Sequence, residues 1–381
     1  MHKILSSYLK RINSTYVGQI VFIIIGGIVG WQLSSIVSST IWPGGEDVAK
    51  GNKALQNKDF NAAVIYFTKA IELDPKYVVA HNNRGIAYHK LEKYPEAFAD
   101  YTKAIELDPK YEKAYYNRGN EYDDLKKYPE ALADYTKAIE LHPKYVFAYY
   151  GRGRTYADLK KYPEAFADYT KAIELDPKNV EAHYSRGNAY SNLKKYEKAK
   201  ADYTKAIELD PKYVHAYYGR GRTYTDLKKY PEAFADYTKA IELDPKEAEA
   251  YFNRGFTYGK LKKYEETIAD YTKAIELDPK LAAAYNNRGH TYNNLKKYSE
   301  AMADCNKAIE LEPKNANSYD TRGEVYRNLK KYPEALADYT KAIELDPKLV
   351  AAYNNRGFAY EALGETKEAE ADFAKAKSLE K

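Results

Sequence analysis

The chain has 381 residues, a formal net charge of +5 at pH 7 and 42 tyrosines, which supply most of its aromatic content. Lys3, Lys10 and Arg11 are the only charged residues of the segment 1–43, so the rest of the chain carries +2 in dense, nearly balanced charge. This balance excludes the one-signed basic surface of a nucleic-acid binder. The single cysteine, Cys305, excludes an intrachain disulfide and a cysteine-based metal site.

The N-terminal segment has the composition of a membrane span. No charged residue occurs between Arg11 and Glu46, and the stretch from Val17 to Ile41 is mostly apolar. As a helix this stretch would reach roughly 37 Å, which is longer than the ~30 Å hydrocarbon core of a bilayer. The sequence therefore predicts a basic N-terminus over residues 1–15 and a single transmembrane helix over residues 16–42.

Flanking charge predicts the orientation of that helix. Lys10 and Arg11 precede it, whereas Glu46 and Asp47 follow it. Because the more basic side of a membrane helix stays cytoplasmic, we expect a single-pass protein with a cytoplasmic N-terminus. The region that follows the helix is then expected on the non-cytoplasmic side.

Two features of the predicted span leave alternatives open. Small residues recur every four positions along one helix face, at Gly26, Gly30, Ser34 and Ser38. Such a stripe lets a partner transmembrane helix approach closely, although glycine and serine are also common in membrane helices. A cleaved signal peptide is the alternative to an uncleaved anchor, with Ser38 and Ser39 as small residues for a peptidase.

The rest of the chain repeats with a period of 34 residues. One proline keeps this step, at Pro75, Pro109, Pro143, Pro177, Pro211, Pro245, Pro279, Pro313 and Pro347. One glycine keeps it too, at Gly51, Gly85, Gly119, Gly153, Gly187, Gly221, Gly255, Gly289, Gly323 and Gly357. A fixed period of this size indicates a repeat array with one continuous core rather than separate domains.

Residues 78–111 show the repeating unit as two amphipathic helices. Apolar and small residues at helical spacing predict a first helix that ends near Lys90. Pro95 is expected to open the second helix, and Asp108 is expected to cap the next helix, with Pro109 as its first residue. One such hairpin cannot bury its apolar side alone, so neighbouring units are predicted to stack.

The in-phase pattern of small and aromatic residues resembles the tetratricopeptide repeat (TPR) family. In the unit 78–111 the matching residues are Gly85, Tyr88, Ala97, Tyr101, Ala104 and Pro109. The resemblance implies an all-α, right-handed superhelical TPR solenoid of about ten helix hairpins over residues 44–381, after one N-terminal transmembrane helix. Units are expected to start at residues 44, 78, 112, 146, 180, 214, 248, 282, 316 and 350.

TPR arrays line a concave groove with the first helix of each unit, and the groove positions here include a run of rings. The fifth residue of five consecutive units is aromatic, at Tyr116, Tyr150, Tyr184, Tyr218 and Phe252. Rigid rings suit binding anchors, so these side chains are predicted to face a ligand. The alternative is that they pack over the next helix.

The sixth residue of several units is an asparagine, at Asn83, Asn117, Asn253, Asn287 and Asn355. A side-chain amide can donate to and accept from a peptide backbone, and a similar ladder holds extended peptides in the TPR domain of O-linked N-acetylglucosamine transferase. The central units lack it, so binding there is expected to use tyrosine together with Arg154 and Arg222. No lysine occupies the fifth position, which argues against a clamp for a chaperone's C-terminal carboxylate.

An arginine precedes almost every repeat glycine, and an aspartate precedes the second-helix aromatic residue of the same unit. The arginines are Arg84, Arg118, Arg152, Arg186, Arg220, Arg254, Arg288, Arg322 and Arg356. The aspartates are Asp100, Asp134, Asp168, Asp202, Asp236, Asp270, Asp304, Asp338 and Asp372. Their equal number favours one ion pair per unit over a basic ladder for an anionic ligand.

No metal-ligand spacing, phosphate loop or nucleophile motif is found, so we expect no catalytic residue, metal or cofactor and no enzyme. The expected function is that of a membrane-anchored scaffold or adaptor for protein–protein interaction. Its expected partners are a protein or peptide, the bilayer through residues 16–42 and, where the small-residue stripe is a packing face, a second transmembrane helix. No nucleic acid is expected. The alternatives are an accessory structural subunit docked through its transmembrane helix, and an import- or chaperone-type receptor with cytosolic repeats.

Overall fold

The computed structural model describes residues 44–380, and within this range all regular structure is helical, with twenty α-helices and no strand. The predicted transmembrane segment 16–42, including Gly26, Gly30, Ser34 and Ser38, lies outside the described residues. Among the helices that are described, none is both long and apolar enough to cross a membrane.

The helices fall into two compact units, and each unit is a stack of hairpins. The first unit ends at Asp176 and holds the hairpins of repeats 1 to 4. Its helices are α1 (Gly45–Gln56), α2 (Phe60–Leu73), α3 (Val78–Lys90), α4 (Tyr94–Leu107), α5 (Glu112–Asp124), α6 (Tyr128–Leu141), α7 (Val146–Asp158) and α8 (Tyr162–Leu175).

The second unit begins at Pro177 and holds the hairpins of repeats 5 to 10. Its helices are α9 (Val180–Asn192), α10 (Tyr196–Leu209), α11 (Val214–Asp226), α12 (Tyr230–Leu243), α13 (Ala248–Lys260), α14 (Tyr264–Leu277), α15 (Ala282–Asn294), α16 (Tyr298–Leu311), α17 (Ala316–Asn328), α18 (Tyr332–Leu345), α19 (Val350–Leu363) and α20 (Thr366–Leu379). Within each unit, each helix packs on its hairpin partner, and each second helix packs on the first helix of the following repeat of the same unit.

The connection between repeats corrects one prediction. Pro95 is the second residue of α4, as expected for a helix opener. Asp108, however, does not cap the next helix: it ends α4 in an extended conformation, and its Oδ1 accepts the Lys110 N–H at 2.9 Å. The Asp108 carboxylate is engaged in this local turn and does not reach the next helix. Helix α5 therefore begins later, at Glu112, with Tyr111 at the capping position.

The turn inside the hairpins was not anticipated from the sequence. One non-glycine residue adopts the left-handed conformation there, at Lys58, Glu92, Lys126, Lys160, Lys194, Lys228, Lys262, Lys296 and Lys330. In repeat 3 the Lys126 N–H donates to the Asp123 carbonyl and the Lys127 N–H to the Tyr122 carbonyl, both at 2.8 Å. These bonds satisfy carbonyls at the end of α5 and hold a conformation that lysine alone disfavours.

The contact between the two helices of a hairpin depends on glycine. A Cβ atom added at Gly187 would lie 2.9 Å from the ring of Tyr203, which is fully buried on the facing helix. A Cβ atom added at Gly85 would likewise lie 2.6 Å from the ring of Tyr101. Small residues therefore mark the close approach of the two helices, and tyrosine fills the space beside them.

The predicted Arg–Asp pairs are present in repeats 2 to 10. In repeat 2, Nε and Nη2 of Arg84 donate to the two carboxylate oxygens of Asp100 at 2.8 Å, and Nη1 donates to Thr68 Oγ1 of the preceding repeat at 3.1 Å. The same pairing joins every later arginine to its aspartate. The arginines thus tie the two helices of a hairpin together, and the bond to Asp100 raises the pKa of Arg84 despite its partial burial.

Candidate partner-binding site

In the first unit, the two predicted rings are half-buried and packed against other rings. Tyr116 lies 6.0 Å from Tyr135 of its own hairpin and 5.3 Å from Tyr145 in the next connection, between ring centroids. Tyr150 lies 6.1 Å from Tyr169 in the same way. Phe147, which sits 6.2 Å from Tyr116, is 57% exposed. One side of each predicted ring therefore packs inward, as in the alternative interpretation, while the cluster around Tyr116 also presents an apolar surface to solvent.

The second unit holds the other three predicted rings, which are also half-buried. Tyr184 and Phe252 approach the second-helix tyrosines of their own hairpins, Tyr203 and Tyr271, at 5.9 and 5.6 Å. The Tyr218 hydroxyl donates to Glu249 Oε2 of the next repeat at 2.7 Å. Burial, followed by this bond, raises the pKa of Tyr218. The rings thus help to join successive repeats while keeping part of their surface exposed.

The predicted asparagine ladder also joins repeats. Asn117 Nδ2 donates to Asn82 Oδ1 at 2.8 Å, and Asn253 Nδ2 donates to the Tyr218 hydroxyl at 3.0 Å. In each case the acceptor is the fifth residue of the preceding repeat. The remaining members behave similarly in part: Asn83 donates to Asn52, Asn355 to Asp320, and Asn287 accepts a bond from Asn286. The sequence contains a signal for these bonds between repeats. A polar fifth residue in one unit and an asparagine sixth residue in the next unit are 35 positions apart.

The two predicted arginines have different surroundings. Arg154 Nη2 donates to the buried Asp123 Oδ2 at 2.6 Å, and the Thr155 hydroxyl donates to the other oxygen of Asp123. Burial by itself lowers the pKa of the Arg154 guanidinium, but the hydrogen bond to Asp123 and the charge of that carboxylate raise it above its ordinary value. Arg222 is exposed, and its guanidinium lies 5.9 Å from the centroid of the Tyr218 ring. Arg154 is therefore partly a structural residue, whereas Arg222 faces solvent beside an aromatic ring.

A polar cleft between repeats 8 and 9 was not predicted. It has a volume of about 320 Å³ and is lined mainly by Asn286, Asn287, His290, Asn317, Asp320 and Thr321, from α15 and α17. The available signal was the end of the aromatic run: the fifth residue is Asn286 in repeat 8 and Asp320 in repeat 9. Smaller side chains leave space where the earlier repeats place a ring.

The described residues do not bring metal-binding or reactive side chains together on this surface. Across residues 44–380, no cluster of three or more histidine, cysteine, aspartate or glutamate side chains could hold a metal ion. Cys305 takes the place of a second-helix tyrosine and is fully buried, and burial raises the pKa of its thiol to about 12. The residues brought together on the first helices are aromatic, amide and charged side chains suited to binding.

The fold and this surface define the class: an all-helical array of stacked hairpins that presents a polar and aromatic face on its first helices. Four family models described as TPR or tetratricopeptide repeats match the chain. One matches residues 78–111, 112–145, 180–213, 248–281 and 282–315. A second matches 153–194, 221–262 and 323–364, a third 134–167, 202–235 and 305–337, and a fourth 48–77 and 350–381. Together they cover residues 48–381, and the chain belongs to the tetratricopeptide repeat family.

Similar proteins share single segments or the fold. Hsp70-Hsp90 organizing protein 2 of Arabidopsis thaliana is 47% identical over 55 residues, which are 14% of this chain and 10% of that protein. Human tetratricopeptide repeat protein 28 is 33% identical over 55 residues, 14% of this chain and 2% of that protein. The crystal structure of a tetratricopeptide repeat protein from Parabacteroides merdae matches with a TM-score of 0.52 at 23% identity, over 65% of this chain and 98% of that one. This last likeness supports the fold alone.

Proposed function

We propose that this chain is a membrane-anchored scaffold that binds peptide segments or partner subunits on its first-helix surface, without catalysis. The observation that carries the proposal is the aromatic run at the fifth position, exemplified by Tyr116, Tyr150 and Tyr184. These rings are held in place by neighbouring rings and remain partly exposed. Aromatic side chains that are already ordered lose little entropy on binding, which is why they recur as interface anchors.

The name of one relative bears on the class of partner. The name of the Arabidopsis relative assigns that protein an organizing role for Hsp70 and Hsp90, but the shared segment spans only 10% of it. This likeness favours a chaperone-type receptor as the second candidate function. Against it, the fifth position of the units carries no lysine to clamp a terminal carboxylate.

Photo-crosslinking tests the proposed binding surface. With a photoreactive phenylalanine analogue at Tyr150 or Tyr184 in native membranes, we expect a discrete crosslinked product, because a bound segment would lie against these half-exposed rings. The same analogue at Tyr94, an exposed residue at the start of the second helix of repeat 2, is the control. Equal product from all three sites, or none from Tyr150 and Tyr184, would contradict the proposed surface.

The anchor is proposed from the sequence of residues 16–42, together with the non-cytoplasmic placement of the repeats. We expect the full chain to stay in the membrane fraction after alkaline carbonate washing, and a variant lacking residues 1–43 to be released. In sealed right-side-out vesicles, added protease should digest the repeats.

The result of the protease test separates the alternatives. Repeats that are digested only after the vesicles are opened would be cytosolic, which favours the import- or chaperone-type receptor. Anchored repeats that give no crosslink, from a protein that co-purifies with a membrane complex, would favour the accessory structural subunit.

A further inference from the structure

The cleft between repeats 8 and 9 contains a side-chain amide oxygen that lacks a hydrogen-bond donor among the described residues. Asn286 Oδ1 is buried and has no hydrogen-bond partner between residues 44 and 380, while Asn286 Nδ2 points to Asn287 Oδ1 at 3.4 Å. The Thr321 hydroxyl donates to the Asn317 carbonyl at 2.9 Å and is thereby occupied. A ligand that brings an N–H or O–H group would satisfy the Asn286 oxygen.

Asp320 adds a negative charge that no direct ion pair neutralises among the described residues. Its Oδ1 accepts one bond, from Asn355 Nδ2 at 3.0 Å. Within the described range, no lysine, arginine or histidine forms an ion pair with it, in contrast to Asp123, which is paired with Arg154. A partly buried carboxylate with a single neutral donor attracts a cation more strongly than an exposed one.

The charged groups around Asp320 do not supply that cation. Glu324 and Arg327 share its helix, and Glu324 is itself engaged by His290 Nδ1 at 3.2 Å from α15 and by Asn355 at 3.3 Å from α19. Tyr339 approaches from α18. Burial raises the pKa of Asp320 to about 6, with smaller opposing effects from His290 and Arg327. The carboxylate is thus ionised at neutral pH at a cost that a bound cation would offset.

We propose that this cleft binds the ammonium or guanidinium group of a basic side chain in the partner segment. The inference rests on the proposed function, since it assigns a chemical class to one position of the peptide held on the first-helix surface. A cation placed there would meet the Asp320 carboxylate and donate to Asn286 Oδ1. The aromatic positions of the preceding repeats would contact apolar parts of the same segment.

A displayed library of random dodecapeptides, selected on the full-length protein in detergent micelles, tests the proposal. We expect selected sequences to be enriched in lysine or arginine, and we expect the Asp320→Asn variant to lose that enrichment. A synthetic selected peptide should bind Asp320→Asn about tenfold or more weakly, measured by fluorescence anisotropy. Replacing its basic residue by norleucine should weaken binding to the native protein by a similar factor and leave binding to Asp320→Asn unchanged.

Asp320→Asn is suited to the array because asparagine already occupies this position in repeats 8 and 10, as Asn286 and Asn354. Circular dichroism should show a folded variant with no lower melting temperature at pH 7.5. The control for charge alone is Glu344→Gln in the same repeat, where an exposed carboxylate pairs with Lys341 at 3.0 Å. This variant should bind the peptide like the native protein.

The pH dependence provides a second readout. Peptide affinity for the native protein should fall between pH 7.5 and pH 5, as Asp320 takes up a proton, and this component should be absent from Asp320→Asn. Selected peptides without basic residues, or equal affinity of the two proteins, would overturn the cation site and leave the scaffold function standing. Failure to select any peptide would overturn both.

Discussion

Replacing Asp270 by alanine is expected to lower the free energy of unfolding by about 3–5 kcal/mol, because it leaves a partly buried guanidinium without its carboxylate. In repeat 7, Arg254 Nε and Nη2 donate to the two oxygens of Asp270 at 2.8 Å. The side chains of Arg254 and Asp270 are only 17% and 8% exposed, so water cannot replace the lost bonds fully. Thr238 of the preceding repeat would remain as a neutral acceptor for Nη1.

A carboxylate in the same helix provides the matched control. Glu276 pairs with Lys273 at 3.0 Å, but the two side chains are 58% and 46% exposed. Its replacement by alanine should change stability by no more than about 0.5 kcal/mol. Urea denaturation, with hydrogen exchange read over residues 248–281, measures both effects. Equal losses for the two variants would contradict a structural role for the buried pair.

A double variant separates the charge left behind from the pair itself. Replacing Arg254 by methionine and Asp270 by leucine removes both charges and keeps similar volume. Such replacements of buried ion pairs are often neutral or stabilising, so most of the loss seen with Asp270→Ala should be recovered. A double variant as unstable as the single one would show that packing, rather than the unpaired arginine, causes the loss.

Replacing Gly187 by alanine is expected to destabilise the protein by about 1–3 kcal/mol through overpacking. The new Cβ would lie 2.9 Å from one ring atom of Tyr203 and 3.0 Å from another. Tyr203 cannot move aside readily, because it is fully buried and its hydroxyl donates to Asn188 Oδ1. Thermal unfolding followed by circular dichroism gives the change in melting temperature.

The same substitution at Gly259 should have the opposite sign. A Cβ there would meet only Thr267, at 3.7 Å, which is an ordinary contact distance. Alanine has the higher helix propensity, so Gly259→Ala should stabilise by up to about 1 kcal/mol. A loss of stability in both variants would mean that the close approach of Tyr203 does not determine the effect at Gly187.

Much of the candidate surface could be located from helical phase. The helical phase predicts that the fifth and sixth residues of each unit lie on the first helix, and Tyr116 and Asn117 do lie there together, half-buried. The position of a residue around its own helix does not show which side chains of the adjacent repeat it contacts. The Asn117 amide is engaged by Asn82, and Arg154 by Asp123, so groups predicted to face a ligand also hold the array together.

The sequence by itself determined the hairpin repeat and its internal ion pairs, because both follow from a 34-residue period that places the same residues in the same local setting each time. Only the tertiary structure decided where the chain departs from that regularity. Asp108 closes a local turn instead of capping α5, and lysine occupies a left-handed turn because backbone bonds around it are satisfied. Asp320 lies beside a polar cleft and forms no ion pair with a lysine, arginine or histidine of the described residues. Its hydrogen-bond donor, Asn355, comes from the following repeat, 35 residues along the chain, so the surroundings of a charged side chain depend on neighbours that its own repeat does not contain.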